Sequence, residues 1–253
     1  MKNGMKKVFW AVESILIFLV LSALTTALTK NIYASVLIEN FKSQGVFCPE
    51  KSTRQVYIYE VPSEEERPCY TMMGDTILPG AAGDILLSLN SEMDIPFVKE
   101  FVSFFAGGHA TIVLDDYADG DVFADEQMIA ETTGLNPDCN LSVIDSKRYW
   151  ASSIPYASMV GLRVRVTERE RKKVISKAIS LVGDPYNYLF IGNTTKTSYC
   201  SDLVSKAYAS VGVNLNKDGF TTSVYDLVVS GETYISYYQY FDADGIRHIY
   251  YLA

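Results

Sequence analysis

The hydrophobic and polar positions of the chain predict a long apolar helix at the N-terminus. Residues 8–29 are almost entirely apolar, with Glu13 as the interruption, and Lys2, Lys6 and Lys7 precede them. About 20 residues of helix are needed to cross a bilayer, so this segment predicts one transmembrane helix. Basic residues ahead of a span favour a cytoplasmic N-terminus and an extracytoplasmic remainder.

A cleaved signal peptide is the competing interpretation of the same segment. The best cleavage position follows Ala34, but residues 31–35 fit the small-residue cleavage rule poorly. We therefore expect an uncleaved anchor. The predicted division of the chain is residues 1–34 as cytoplasmic tip and anchor, 35–73 as a connector, and 74–253 as the main domain.

Within the main domain, apolar residues alternate in some segments and recur at helical spacing in others. This mixture predicts an α+β fold, with an antiparallel sheet packed against helices. A capping box of Thr167 and Glu170 predicts one helix start. The expected strands are residues 85–89, 109–114, 128–132, 158–166, 234–240 and 248–252, with a further short strand at residues 56–59 in the connector. The expected helices are residues 95–105, 167–183, 200–211 and 220–229.

The charge and histidine content exclude several classes of function. The formal net charge is −8 and no basic stripe is present, so we expect no nucleic-acid partner. With two histidines, His109 and His248, and no Cys-x-x-Cys pair, we expect neither a metal site nor a cofactor. The acidic residues between Asp115 and Asp125 do not have EF-hand spacing and are interpreted as a solvated hairpin loop.

Cys200 stands out among the four cysteines because it opens a predicted amphipathic helix. The apolar positions that follow it recur on one face, and Gly212 is a predicted C-terminal cap. Free N–H groups and the helix dipole at such a position favour a thiolate, although a lone cysteine is more often a small buried hydrophobe. In an exported domain, Cys48 and Cys69 could form a disulfide, and Cys139 is interpreted as structural.

Two further residues suit a cysteine nucleophile. His109 begins a predicted strand after two glycines, and Glu131 lies on the strand that follows. A nucleophilic thiol needs a base, and the base needs a polar group to orient it. Residues on adjacent antiparallel strands can meet, so we expect His109 and Glu131 to be neighbours, with Asp84 or Thr111 as alternatives for the third group.

Five short motifs occur in an order that resembles a known family. The motifs are Gly83-Asp84-Ile85-Leu86, Gly108-His109-Ala110-Thr111-Ile112-Val113, Ile129-Ala130-Glu131, Gly183-Asp184-Pro185-Tyr186 and Tyr199-Cys200-Ser201-Asp202-Leu203-Val204. They resemble the circularly permuted papain-like hydrolases of the NlpC-type superfamily, in their YiiX/YebB-like branch, with lecithin retinol acyltransferase as a more distant relative. As in that branch, the histidine precedes the cysteine, and the resemblance covers about residues 74–215.

The resemblance implies a role for each matching residue. Cys200 is the expected nucleophile, His109 the base and then the acid, and Glu131 the group that orients His109. Tyr199 is expected to assist the oxyanion site and Tyr186 to line the cleft. Asp202 stands where many relatives carry Glu, which leaves any role of that carboxylate open.

The implied protein is a membrane-anchored cysteine hydrolase whose domain at residues 74–253 has a permuted papain-like fold. We expect cleavage of an amide bond in cell-wall peptides through a thioester, outside the cytoplasm. A lipid acyl hydrolase or acyltransferase is the first alternative, and a catalytically silent binding module on the same fold is the second. The expected partners are the wall peptide or acyl-lipid substrate and the membrane; the sequence does not predict an oligomeric state.

Overall fold

The fold is taken from a computed structural model of the chain. It describes residues 2–73, 76–91, 97–116, 129–132, 141–144, 150–151, 158–188, 190, 196–217 and 221–253. Most of the predicted acidic loop, together with Cys139, lies outside these residues. The five described helices are α1 (Lys2–Ser43), α2 (Val98–Phe105), α3 (Glu168–Ser180), α4 (Cys200–Ala209) and α5 (Val224–Val229).

Seven of the described strands match predicted ones, including the short strand expected at residues 56–59, and the other four were not predicted. They are β1 (Val46–Phe47), β2 (Val56–Val61), β3 (Tyr70–Met73), β4 (Thr76–Pro79), β5 (Ile85–Ser88), β6 (His109–Val113), β7 (Ile129–Thr132), β8 (Leu141–Ile144), β9 (Ser158–Val164), β10 (Thr233–Phe241) and β11 (Arg247–Leu252). Among the described residues, nine of these strands form one sheet in the order β1-β2-β11-β10-β9-β5-β6-β7-β8, and β3 pairs with β4. Neighbours in the large sheet are antiparallel except for β2 and β11. The α+β fold predicted from the sequence is confirmed.

The sheet separates two hydrophobic cores, and β6 contributes to both. Ala110 and Ile112 belong to the larger core, which also contains buried residues of all the described helices except α2. Val113 belongs to the smaller core, together with Trp150. Because side chains alternate along a strand, His109 points to the same side of β6 as Val113.

Helix α1 is both a span candidate and a part of the main domain. Its segment Phe9–Ser43 is long and apolar enough to cross a membrane, a property shared with signal sequences. Further along, Ala34, Ile38 and Phe41 are buried in the larger core. Residues 35–73, expected to be a connector, therefore supply the end of α1 and two strands of the large sheet.

The two cysteines that could have formed a disulfide are free thiols. Cys48 and Cys69 are both buried in the smaller core, and neither forms a disulfide. The Cys69 thiol donates a hydrogen bond to the Leu252 carbonyl at 3.3 Å, and the Cys48 thiol donates to the Val46 carbonyl at 3.4 Å. Both thiols therefore act as small apolar core side chains, and each forms a hydrogen bond with a backbone carbonyl instead of a disulfide.

Candidate active site

Two glycines allow His109 to begin β6 where it does. Gly107 has a φ of 81°, and a Cβ atom there would lie 2.6 Å from the Val224 Cβ. A Cβ atom on Gly108 would lie 2.1 Å from the Asn90 carbonyl oxygen. The chain can therefore pass between α5 and the end of β5 only without side chains at these two positions. This close passage sets the position of the imidazole that follows.

Trp150 packs on the His109 ring, a contact that the sequence pattern did not reveal. The two ring centroids lie 5.7 Å apart and the ring planes differ by 13°. Trp150 is fully buried in the smaller core, so it provides a fixed surface for the imidazole. Residues 145–149 have no periodic pattern of apolar positions. A stacking contact between residues far apart in the chain produces no such local pattern.

The N-terminus of α4 is held by the backbone of Thr222. The Thr222 N–H donates to the Tyr199 hydroxyl at 2.6 Å, and the Ser201 hydroxyl donates to the Thr222 carbonyl at 2.7 Å. Tyr199 is the N-cap residue and makes no side-chain cap. Cys200 thus lies between two residues that both bond to the backbone of Thr222. The Tyr199 side chain does not cap the first N–H groups of α4.

The structure brings Cys200 and His109 together. Cys200 is half-buried at the first position of α4, and its thiol forms a hydrogen bond with the His109 side chain. Burial alone would raise the pKa of this thiol. The bond to His109, the charge of that ring, and the backbone N–H groups of Ala110 and Ser201 lower it, and the net direction is downward. A lowered pKa favours the thiolate, which is the reactive form.

The pKa values of the other two described thiols shift in the opposite direction. Burial raises the pKa of Cys69 to about 12, and it also raises the pKa of Cys48. Neither has an imidazole among the groups that shift its pKa. Among the described cysteines, Cys200 therefore has the environment of a nucleophile, and Cys48 and Cys69 have that of core residues.

The register of the sheet brings the backbone of Glu131 near His109. Strand β7 pairs with β6 through Ile112↔Ala130, so Glu131 stands opposite Thr111, two residues from His109. Diagonal partners on adjacent antiparallel strands are about 7–8 Å apart, within reach of a long side chain. The Glu131 side chain lies outside the described part of the chain, so its role as orienter stays a prediction.

Asp84, one of the two alternatives to Glu131, is committed elsewhere. Its carboxylate accepts hydrogen bonds from Arg163 at 2.8 and 2.7 Å, from Arg67 at 3.0 Å and from the Ala81 N–H at 2.9 Å. It precedes β5, whose other end, Ser88, pairs with His109. That strand places it about 13 Å from the His109 end of the sheet, which argues against contact with the imidazole. Thr111, the other alternative, is buried on β6.

Tyr199 and Tyr186 belong to one aromatic cluster beside Cys200. Tyr199 packs on Phe190 with centroids 5.2 Å apart, and Tyr186 contacts Tyr188 at 4.9 Å and Phe190 at 6.0 Å. Burial raises the pKa of Tyr199, followed in effect by the charge of Asp202. The neutral Tyr199 hydroxyl is engaged with Thr222, so this residue positions α4, and its assistance to an oxyanion stays a prediction, as does cleft lining by Tyr186.

Asp202 forms an ion pair that ties the preceding loop to α4. Its carboxylate lies 2.6 Å from the Lys206 ammonium, one helical turn further on. The same ammonium donates to the Thr197 carbonyl at 2.6 Å and to the Ser198 hydroxyl at 2.9 Å. Burial raises the pKa of Asp202, while Lys206 opposes that shift. Across the residues that the structure describes, no group of three or more metal-ligating side chains is present.

The chain is similar to one family of known proteins. The profile of a family described as permuted papain-like amidase enzymes, YaeF/YiiX, C92 family, matches residues 81–227. This match confirms the resemblance predicted from the ordered motifs. No curated protein sequence matches the chain. A structure titled as the metalloprotein yiiX from Escherichia coli O157:H7 aligns at 14% identity with a TM-score of 0.45, covering 61% of this chain and 95% of that one.

Proposed function

Because the chain belongs to the permuted papain-like amidase family YaeF/YiiX, we propose that it is a cysteine amidase with Cys200 as nucleophile and His109 as base. The observation that carries this proposal is the hydrogen bond between the two side chains, with the accompanying fall in the thiol pKa. A nucleophile in contact with its base is the arrangement that covalent catalysis requires. Glu131 is proposed to orient the imidazole.

The proposed reaction proceeds through a thioester. The Cys200 thiolate attacks the amide carbon, a C–S bond forms, and the carbonyl electron pair moves to oxygen. The backbone N–H of Cys200, at the N-terminus of α4, donates to that oxyanion. The C–N bond then breaks, and protonated His109 gives its proton to the departing amine. Water attacks the thioester, His109 takes the water's proton, and the C–S bond breaks to release a carboxylic acid.

We propose that α1 is an uncleaved anchor with its N-terminus in the cytoplasm and the domain outside. The lysines ahead of the span support this orientation. Cleavage after Ala34 would remove two tethers to the domain. Lys30 lies 2.5 Å from the Asp226 carboxylate, and the Asn31 side chain donates to the Phe104 carbonyl at 2.9 Å. It would also cut a continuous helix within the part that packs in the core.

The proposed substrate is an amide bond in a cell-wall peptide, which an anchored domain outside the cytoplasm would reach. An acyl-lipid substrate is the second candidate. It is supported by the position of α2, which contacts α1 beside Asn31, just beyond the apolar segment. A site this close to the end of a membrane span could receive a substrate from the bilayer.

The test is a substrate panel on the full-length protein in lipid nanodiscs. Purified wall peptides are compared with phospholipids and short-chain thioesters, for the unsubstituted chain, for Cys200→Ala and for the control Cys48→Ser. We expect hydrolysis of one class, lost in Cys200→Ala and kept in Cys48→Ser. Equal turnover by the Cys200→Ala variant would contradict the proposal, and an absence of both turnover and accelerated Cys200 alkylation would identify a silent binding module.

A further inference from the structure

Helix α2 presents a row of phenylalanines that the described protein leaves largely uncovered. The row consists of Phe97, the N-cap residue, followed by Phe101, Phe104 and Phe105, which have the spacing of a single helix face. Phe97 is 81% exposed and Phe101 is 57% exposed. Phe105 packs on Phe101 at 4.7 Å and on Phe104 at 5.0 Å, so the three helical rings form one continuous apolar surface. Contiguous exposed apolar patches are typical of surfaces that contact another protein or a membrane.

The phenylalanine face is held in a fixed relation to α1. The Asn31 side chain donates to the Phe104 carbonyl at 2.9 Å, which joins α1 directly to α2. On its other side, the Tyr225 hydroxyl donates to the Ser103 carbonyl at 2.9 Å. Tyr225 lies on α5, which is itself paired with α1 through Asp226 and Lys30. The level of α2 along the α1 axis is therefore set by side-chain contacts on two sides.

The residue pattern of α1 indicates where α2 lies relative to the bilayer. The uninterrupted uncharged segment of α1 ends at Thr29, and the charged Lys30 follows. Trp10 and Tyr33, both exposed, are about 34 Å apart at the rise of an α-helix. Aromatic residues at such a separation bracket a hydrocarbon core of about 30 Å. Asn31, and with it α2, falls at the second boundary of this core.

We propose that the phenylalanine face of α2 inserts into the headgroup region of the same bilayer that α1 crosses. This inference rests on the proposed anchoring and extends it from a tether to a second membrane contact. An amphipathic helix lying in the interface buries its apolar face there, while Lys99 and Glu100 stay exposed to water. Three residues separate the end of α2 at Phe105 from His109, so the contact holds the catalytic groups beside the membrane surface.

The proposal is tested by tryptophan quenching in nanodiscs of phosphatidylcholine brominated near the top of the acyl chains. All variants carry Trp10→Phe, which leaves the fully buried Trp150 as an internal reference. Phe101→Trp places a reporter on the α2 face. Phe47→Trp is the matched control, an exposed aromatic on β1, which follows the end of α1 at Ser43, about 18 Å further along the helix axis than Asn31.

We expect the brominated lipid to remove at least half of the fluorescence added by Phe101→Trp and to leave that added by Phe47→Trp unchanged. Equal quenching of the two reporters would overturn the proposal. A Phe101→Trp signal that is unquenched by lipid but shifts on dilution would overturn it in favour of a second copy of the chain on this face. Quenching of Trp10 in the otherwise unsubstituted protein reports the anchor separately, so failure of the anchor and failure of the α2 contact are distinguishable.

Discussion

At the scale of single residues, the character of the Cys200 thiol is determined by the groups that touch it. Burial raises the pKa of Cys69 to about 12, whereas contact with His109 outweighs burial at Cys200 and lowers its pKa. The sequence could indicate Cys200 because a helix start is visible in the local pattern. It could not indicate Trp150, whose stacking on His109 depends on tertiary packing between segments far apart in the chain.

Replacing Trp150 should uncouple the imidazole from its packing surface. We expect Trp150→Leu to lower kcat by about tenfold, since stacked ring pairs contribute on the order of 1 kcal/mol. Trp150→Phe retains an aromatic face and should recover most of the activity. The measurement is kcat and KM for both variants on the best substrate of the panel. A loss of stability in Trp150→Leu with unchanged kcat would show that the ring only fills space.

At the scale of elements, the sequence predicts the starts that a local signal marks, whereas the helix expected from residue 220 begins at Val224. The capping box of Thr167 and Glu170 is present in the structure, and His109 and Cys200 begin the expected strand and helix. The strand expected to reach Val166 ends at Val164, because the Val166 N–H turns back to the Val164 carbonyl instead of a neighbouring strand. Apolar alternation continues past the point where the ladder partner stops, so periodicity alone overestimates the length.

The glycine before His109 offers a test of how this element is positioned. A methyl group on Gly108 would overlap the Asn90 carbonyl, a backbone atom that cannot move aside cheaply. We expect Gly108→Ala to destabilise the protein by about 1–3 kcal/mol and to reduce activity by displacing His109. Gly231→Ala is the control, because the nearest atom to its new methyl is the flexible Lys217 ammonium at 3.9 Å. Urea unfolding of both variants measures the difference, and equal stabilities would contradict the account.

At the scale of the whole molecule, the parts that the sequence left uncertain are those that join distant segments. Strand β2 lies parallel to β11, the last strand, and the end of α1 is buried under the sheet. No local pattern specifies which edge a strand will join. The sequence likewise indicated Asp84 as a possible catalytic group, whereas the structure pairs its carboxylate with two arginines from distant segments, Arg163 and Arg67.

Asp84 should matter for stability rather than for chemistry. Asp84→Asn removes the closest counter-charge of the buried Arg163 guanidinium and leaves only Glu65 at 3.6 Å, and breaking comparable buried pairs costs about 3–5 kcal/mol. The control is Glu168→Gln, which breaks an exposed pair with Lys172 and should leave the melting temperature unchanged. Thermal unfolding followed by circular dichroism gives the comparison. If Asp84→Asn had the same melting temperature as the unsubstituted protein but lost activity, Asp84 would belong to the catalytic residues.

The central claim is that contact with His109 lowers the pKa of the Cys200 thiol, and the pH dependence of alkylation tests it most directly. The rate of iodoacetamide addition at Cys200, identified by peptide mass, is measured against pH for the unsubstituted protein and for His109→Ala. The account predicts a midpoint below the ordinary thiol pKa of 9.0 in the first, and a higher midpoint in the second, where burial still raises the pKa and the imidazole no longer lowers it. Identical midpoints in the two proteins would contradict it.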